Sequence, residues 1–164
     1  MLSVSGLVKS FGGIQAIQNV SFDVPKGVVY AIIGPNGAGK TTLFNLITGI
    51  YRPTAGSIRL DDADITGSAP ADLARMGMSR TFQNLQICHN MTAIENVMVG
   101  AHLMLNGSML AGLFRWPGLG RRDGETRERA AYLMEKVGCG DYIGAEARSM
   151  PYGALKRLEI ARAL

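Results

Sequence analysis

Two cysteines and two histidines are all that 164 residues offer in thiol or imidazole ligands. Cys88, Cys139, His89 and His102 have no metal-ligand spacing, so a zinc site is not expected. Lone thiols of this kind read as buried cysteines in a reducing compartment. Long apolar runs are also missing. The longest tract near the middle, Met109 to Phe114, is far too short to cross a bilayer. No long apolar stretch follows Lys9 and the N-terminus, so no signal peptide is expected. Charge is sparse at 18% of residues, with 17 basic against 13 acidic side chains and a net charge of +4. The basic residues are dispersed, apart from pairs such as Arg121-Arg122 and Lys156-Arg157. A solvated surface accounts for such a distribution better than a nucleic-acid footprint does. With 47% hydrophobic residues the chain is long enough for one domain with a real core.

What is present begins with glycine. The apolar run Val28 to Ile33 leads into Gly34-Pro35-Asn36-Gly37-Ala38-Gly39-Lys40-Thr41-Thr42. This is G-x-x-x-x-G-K-[ST] placed between a strand pattern and a helix pattern, the phosphate-cradling P-loop. Glycines let successive N–H groups converge on one point. A helix from about residue 39 to 49 adds its unpaired first amides and the positive end of its dipole. In this motif Lys40 places an ammonium on the outer phosphates and the Thr41 hydroxyl holds Mg²⁺. The other reading, a glycine-rich turn that binds nothing, is disfavoured by the strand before it and the helix after it.

Around this motif, weak alternation over 2–8 predicts an edge strand, and 17–24 a second strand. Residues 28–33 read as a buried strand, 56–60 as a short strand, and Asp61-Asp62 as a turn. Pro70 suits the first turn of a helix over 70–76, and 78–82 returns as strand. The character then turns helical. Thr92 and Glu95 form a capping box, opening a helix with Ile94, Val97, Met98, Ala101 and Leu105 at helical spacing. Residues 106–120 are glycine-rich and irregular. A charged helix follows over about 125–137, and a last one starts near Gly153.

Four features stand in one order: Phe11, then the P-loop, then Gln83 in Arg80-Thr81-Phe82-Gln83-Asn84, then Met150-Pro151-Tyr152-Gly153 running into Leu158-Glu159-Ile160-Ala161-Arg162-Ala163-Leu164. In this order, and over the whole chain, the sequence resembles the nucleotide-binding subunits of ABC transporters. Ser10 to Gly13, Met76 to Gln83, Leu113 to Pro117 and Tyr152-Gly153 are similar to the ATPases of branched-chain amino acid importers. The resemblance implies an α/β fold: a mostly parallel P-loop core, an N-terminal antiparallel β portion and an inserted helical subdomain. The core would comprise 1–84 with 151–164, and the helical subdomain 85–150.

The resemblance also assigns roles. Phe11 matches the aromatic platform that stacks on adenine, although by itself a phenylalanine packed under the sheet reads equally well. Gln83 matches the glutamine that ligates Mg²⁺ or orients a water. Tyr152 and Gly153 fall in the signature segment, usually Leu-Ser-Gly-Gly-Gln, where Pro151 stands for the serine, Tyr152 for the first glycine and Ala154 for the glutamine. In the family that segment opens a helix toward the γ-phosphate held by a partner subunit. ATP and Mg²⁺ are thus the implied ligands. A second ATPase subunit, the same or different, and membrane permeases are the implied partners, with no nucleic acid. The implied location is peripheral, on the cytoplasmic face of the inner membrane. Leu113, Phe114 and Trp116 read either as part of the permease contact or as a local hydrophobic cluster. Related systems for urea or lipopolysaccharide remain alternatives for the cargo, and a non-hydrolysing nucleotide-binding fragment is an alternative for the activity.

The family's chemistry also uses a strand ending in Asp-Glu, and no aliphatic run in residues 1–164 ends that way; Leu60-Asp61-Asp62 is the nearest. The Asp helps hold Mg²⁺ and the Glu activates the attacking water. A chain of these 164 residues is therefore expected to hydrolyse ATP about 10²–10⁴-fold more slowly than one extended through such a strand. Steady-state phosphate release from the two forms checks this, and equal rates would contradict it.

Overall fold

Gly12 and Gly13, with φ of 50° and 91°, close a two-residue hairpin between Phe11 and Ile14. Both positions need left-handed backbone, which glycine adopts freely and which matches the twist of the flanking strands. The structure, a computed structural model, describes residues 1–101 and 119–164, with side chains in the latter part from residue 124. The hairpin joins β1 (Leu2–Phe11) to β2 (Ile14–Val24). β3 (Ala55–Leu60) and the two-residue β4 (Ala63–Asp64) complete a sheet in the order β2-β1-β3-β4. Every pairing in it is antiparallel.

The first strand is therefore internal rather than the expected edge. Its alternation is weak for a physical reason. The register shifts between Val4 and Leu7, so these two residues face the core three positions apart rather than two. Above this face lies α1 (Lys40–Ile47), whose Leu43, Leu46 and Ile47 are buried with Ile17, Ile58 and Leu73. Leu73 comes from α2 (Pro70–Arg75), which starts at the expected proline.

Two expected strands are absent. Residues 28–33 and 78–82 pair with nothing in a ladder, and no parallel pair occurs among the described residues. Val29 is fully exposed and Ile33 is 91% exposed, so the segment read as a buried strand lies at the surface. A strand exists only through its neighbours, and an apolar run predicts burial only where neighbours are supplied. Here β2 and β4 are the edges of the sheet, and neither pairs with this segment. Tyr30 stacks on Phe22 with ring centroids 5.5 Å apart, and Ile32 packs on the core, but the main chain between them forms no sheet.

The contacts divide the chain into Met1–Met78 and Ser79–Leu164. Residues 151–164, grouped by the sequence with the P-loop, fall in the second unit. That unit is helical: α3 (Ala93–Gly100), α4 (Leu119–Lys136) and α5 (Tyr152–Ala163), with 3₁₀ turns at Gly140–Tyr142 and Ala147–Ser149. Ile94, Val97, Met134, Leu155 and Leu158 form its core. Helix α4 begins six residues earlier than the pattern suggested. Cys139 is buried, and that burial pushes its thiol pKa up. Cys88 is exposed, against the expectation of two buried thiols. Leu105 and the cluster Leu113, Phe114 and Trp116 lie outside the described residues. No described helix is long and apolar enough to cross a membrane.

The capping box at α3 forms as expected. The Glu95 amide donates to Thr92 Oγ1 at 3.4 Å, and the Thr92 amide donates to Glu95 Oε2 at 2.8 Å. Hydrogen bonds from the Thr92 hydroxyl and amide hold the Glu95 carboxyl below its ordinary 4.5. A depressed carboxylate contributes stability above its unfolded pKa and loses it as pH falls through the lower folded value. Thr92→Ala should cost about 1 kcal/mol at neutral pH. The gap from the parent in urea midpoint should narrow below pH 4.5, which melts at pH 7 and pH 3 would show.

Candidate phosphate-binding site

The loop from Gly34 to Thr42 is shaped by two left-handed glycines, Gly37 and Gly39, each with φ of 85°. The Ala38 amide closes a turn onto the Pro35 carbonyl at 3.3 Å. Gly39 is the N-cap of α1. A Cβ there would meet the Ala16 carbonyl oxygen at 2.7 Å and Ile17 Cδ1 at 2.9 Å. Close approach to β2 and a left-handed φ thus both require glycine at this position.

No side chain caps α1, and its first turn has no acidic residue. The first amides of the helix therefore keep their donor capacity, and the positive end of the dipole is uncompensated. The ammonium of Lys40 folds back over the loop, donating to the Gly34 carbonyl at 2.6 Å and the Pro35 carbonyl at 2.7 Å. Gly34 to Ala38 are exposed, as is Thr41, while Thr42 is half-buried. The loop thus offers exposed main chain, one ammonium and the hydroxyls of Thr41 and Thr42, the chemistry a polyphosphate needs.

This donor set also fits a divalent ion that arrives with phosphate. The described residues contain no group of three or more His, Cys, Asp or Glu that would hold an ion by themselves. Thr41 offers a hydroxyl oxygen, and Mg²⁺ ordinarily keeps waters and phosphate oxygens alongside one or two protein ligands.

Phe11 sits at the hairpin end of β1 and is 41% exposed. Its edge meets Tyr51, with ring centroids 5.2 Å apart, and the Lys9 ammonium lies 4.9 Å from its centroid. Lys9 also donates to the Arg52 carbonyl at 2.8 Å. Sequence reasoning missed Tyr51 and Lys9 as neighbours of Phe11, since the antiparallel pairing of β1 with β3 brings the 51–54 turn there.

Gln83, Tyr152 and Gly153 belong to the second unit. Gln83 is exposed, in a stretch without regular structure. Its main chain is held by α5: Lys156 Nζ donates to the carbonyls of Phe82 at 3.3 Å and Gln83 at 3.0 Å. The Phe82 amide donates to Glu159 Oε1 at 3.3 Å. The Arg162 guanidinium donates to the Gln86 carbonyl. Further along, the fully buried Asn96 exchanges hydrogen bonds with both main-chain groups of Cys88, at 2.8 and 3.0 Å. None of these four side chains was singled out from the sequence. The available signal was Glu159, a carboxylate on the same helical face as Leu155 and Leu158. Tyr152 is 65% exposed at the start of α5, with Lys156 5.9 Å from its ring centroid. A Cβ on Gly153 would meet nothing within 4 Å.

A mixed α/β unit carrying a G-x-x-x-x-G-K-[ST] loop at a helix N-terminus, in one chain with a helical unit, is the pattern of a nucleotide-binding protein class. The family model described as "ABC transporter" matches residues 17–164, and the chain belongs to that family. The chain is 46% identical over all 164 residues to the high-affinity branched-chain amino acid transport ATP-binding protein BraF of Pseudomonas aeruginosa, and spans 64% of that relative's length. Among solved structures it is similar to the ADP conformation of MJ1267, an ATP-binding cassette of an ABC transporter, with a TM-score of 0.81 and 36% identity over 99% of this chain and 63% of that one. It is also similar to the dimeric bacterial ABC transporter cassette MJ0796, with a TM-score of 0.78 and 25% identity, over 100% of this chain and 69% of that one.

Gly39→Ala should disturb both the fold and the cradle. The left-handed backbone alone costs about 1–2 kcal/mol, and the approach to Ala16 adds to that. A drop in thermal midpoint together with loss of nucleotide affinity is the expected result. A variant that binds and melts like the parent would contradict this account of the loop.

Proposed function

We propose that this chain is the nucleotide-binding part of an ATP-driven importer of branched-chain or other hydrophobic amino acids. The observation that carries the proposal is the 34–42 loop: left-handed glycines, an uncapped α1 and the Lys40 ammonium over the same loop. Membership of the ABC transporter family and 46% identity to BraF support the cargo class.

In this reading the amides of Gly34 to Thr42 cradle the phosphates, and Lys40 exchanges the Gly34 and Pro35 carbonyls for outer phosphate oxygens. Phe11, with an exposed ring, stacks on the base. By the family's pattern Thr41 and Gln83 are each an oxygen ligand for Mg²⁺, which when bound would supply neutralisation of phosphate charge. Lys40 and Gln83 are the residues of this chain that contact the reacting end. Tyr152 and Gly153 serve the nucleotide of a partner subunit. The open space at Gly153 suits such a role, because nothing in its own unit demands a glycine there. The chain then works as one of a pair of ATPase subunits, identical or not, docked on membrane permeases at the cytoplasmic face of the inner membrane. Closure of the pair on ATP would be the event transmitted to the permeases.

Calorimetric titration of the folded chain with ATP and ADP tests the first step. Binding is expected for both. Lys40→Ala should weaken it roughly 10–100-fold, the size of one or two charge-assisted hydrogen bonds. Absence of heat at millimolar nucleotide, or an unchanged dissociation constant in Lys40→Ala, would overturn the proposal.

A further inference from the structure

The stretch carrying Gln83 has main-chain groups but no ladder to satisfy them, and the face of α5 formed by residues 156, 159 and 162 does so instead. These positions are three residues apart and so follow one another along the helix. Glu159 is the centre of the arrangement. It is only 4% exposed, accepts the Phe82 N–H at Oε1, and pairs through Oε2 with Lys156 Nζ at 3.3 Å. Lys156 in turn donates to the carbonyls of Phe82 and Gln83. The main chain around Gln83 is thus held at the Phe82 N–H by the carboxylate and at the Phe82 and Gln83 carbonyls by the ammonium. The side chain of Gln83 is left exposed. Arg80 lies over the ring of Phe82, 5.0 Å from its centroid, and closes the segment from the other direction along the chain.

A buried carboxylate such as Glu159, paired with a half-buried Lys156, is a poor way to stabilise a helical core. Replacing such a pair by apolar side chains of similar volume is often neutral or stabilising. Leu155, Leu158 and Ala161 already supply that core on the adjoining positions. What the pair does that an apolar residue would not is fix main-chain atoms in a loop.

We propose that Glu159, acting with Lys156, is a positioning residue for Gln83: it fixes the Phe82–Gln83 main chain so that only the Gln83 side chain is free to engage and leave nucleotide-bound Mg²⁺. This rests on the reading of Gln83 as a metal ligand given above. The same tether links the main chain of Gln83 to the helix that begins with Tyr152 and Gly153. A displacement of that helix is therefore passed to Gln83 through two side chains.

The experiment is calorimetric binding of ATP to the 164-residue chain in EDTA and again with Mg²⁺, for the parent, Gln83→Ala, Glu159→Ala, Glu159→Gln and the double variant Gln83→Ala/Glu159→Ala. Gln83→Ala and Glu159→Ala should each reduce the gain in affinity that Mg²⁺ confers, by on the order of tenfold. Affinity in EDTA should stay at the parent's value in Glu159→Ala. Glu159→Gln keeps an oxygen for the Phe82 amide and should retain most of the gain. The double variant should be no worse than Gln83→Ala, as expected of residues acting through one another. Hydrogen exchange at the Phe82 amide should quicken in Glu159→Ala while α5 stays protected, which a loss of overall stability would not produce. Should Glu159→Ala fail to fold, Lys156→Met at its half-buried site carries the same expectation. A parental Mg²⁺ gain in Glu159→Ala or Lys156→Met, beside a reduced one in Gln83→Ala, overturns the positioning role and leaves the role of Gln83 standing. A parental gain in Gln83→Ala overturns both.

Discussion

Main-chain groups that belong to no ladder must find partners elsewhere, and in this protein helix side chains provide them. Between Phe82 and Cys88 the backbone is neither strand nor helix, yet Glu159, Lys156, Arg162 and Asn96 each take up one or more of its amides or carbonyls. An unpaired backbone group shielded from water costs about as much as a lost hydrogen bond, so a loop in this position is ordered only as far as such partners reach. The helical unit is therefore more than a packed bundle. Its polar residues at 96, 156, 159 and 162 determine the path of the segment that carries Gln83, and its apolar ones keep the helices in register.

The two glycine-bearing helix starts differ in what requires the glycine. At Gly39 the reason is internal: β2 lies so close that a methyl group would strike the Ala16 carbonyl. At Gly153 the surroundings are open, and the chain itself would tolerate a side chain. The first helix start is built into the sheet it rests on. The second is a free surface whose demands come from whatever approaches it. Lys40 shows the complementary economy. Its ammonium is not left hydrated beside the loop but occupies the carbonyls of Gly34 and Pro35, so nucleotide would enter by exchange of partners rather than by ordering a mobile cation.

Much of this was legible in the sequence, and what was not has identifiable causes. The glycine-lysine-threonine loop, the capping box at Thr92 and the proline-led helix at Pro70 are local devices. Their residues specify their own geometry, and the structure forms each of them. The strands at 28–33 and 78–82 are not local. Their apolar residues state a preference for burial, but pairing has to come from other strands, and β1, β2, β3 and β4 pair among themselves. The edge position expected for β1 failed similarly, because nothing in Leu2–Phe11 reveals that Ala55–Leu60 lies alongside it. Glu159 and Asn96 escaped notice since a single polar residue on an apolar helical face looks like an interruption until the group it binds is seen.

The segment from Val28 to Ile33 carries a further consequence. It presents β-branched and aromatic side chains at the surface with no strand beside it. Such a stretch is a template for intermolecular pairing, the first step toward cross-β assembly. Its flanks oppose this: Pro25 and Lys26 stand before it and Pro35 after it, and proline and charge at these points act as gatekeepers against strand addition. The three residues that bracket the run thus bear on whether this exposed segment meets another chain edge to edge.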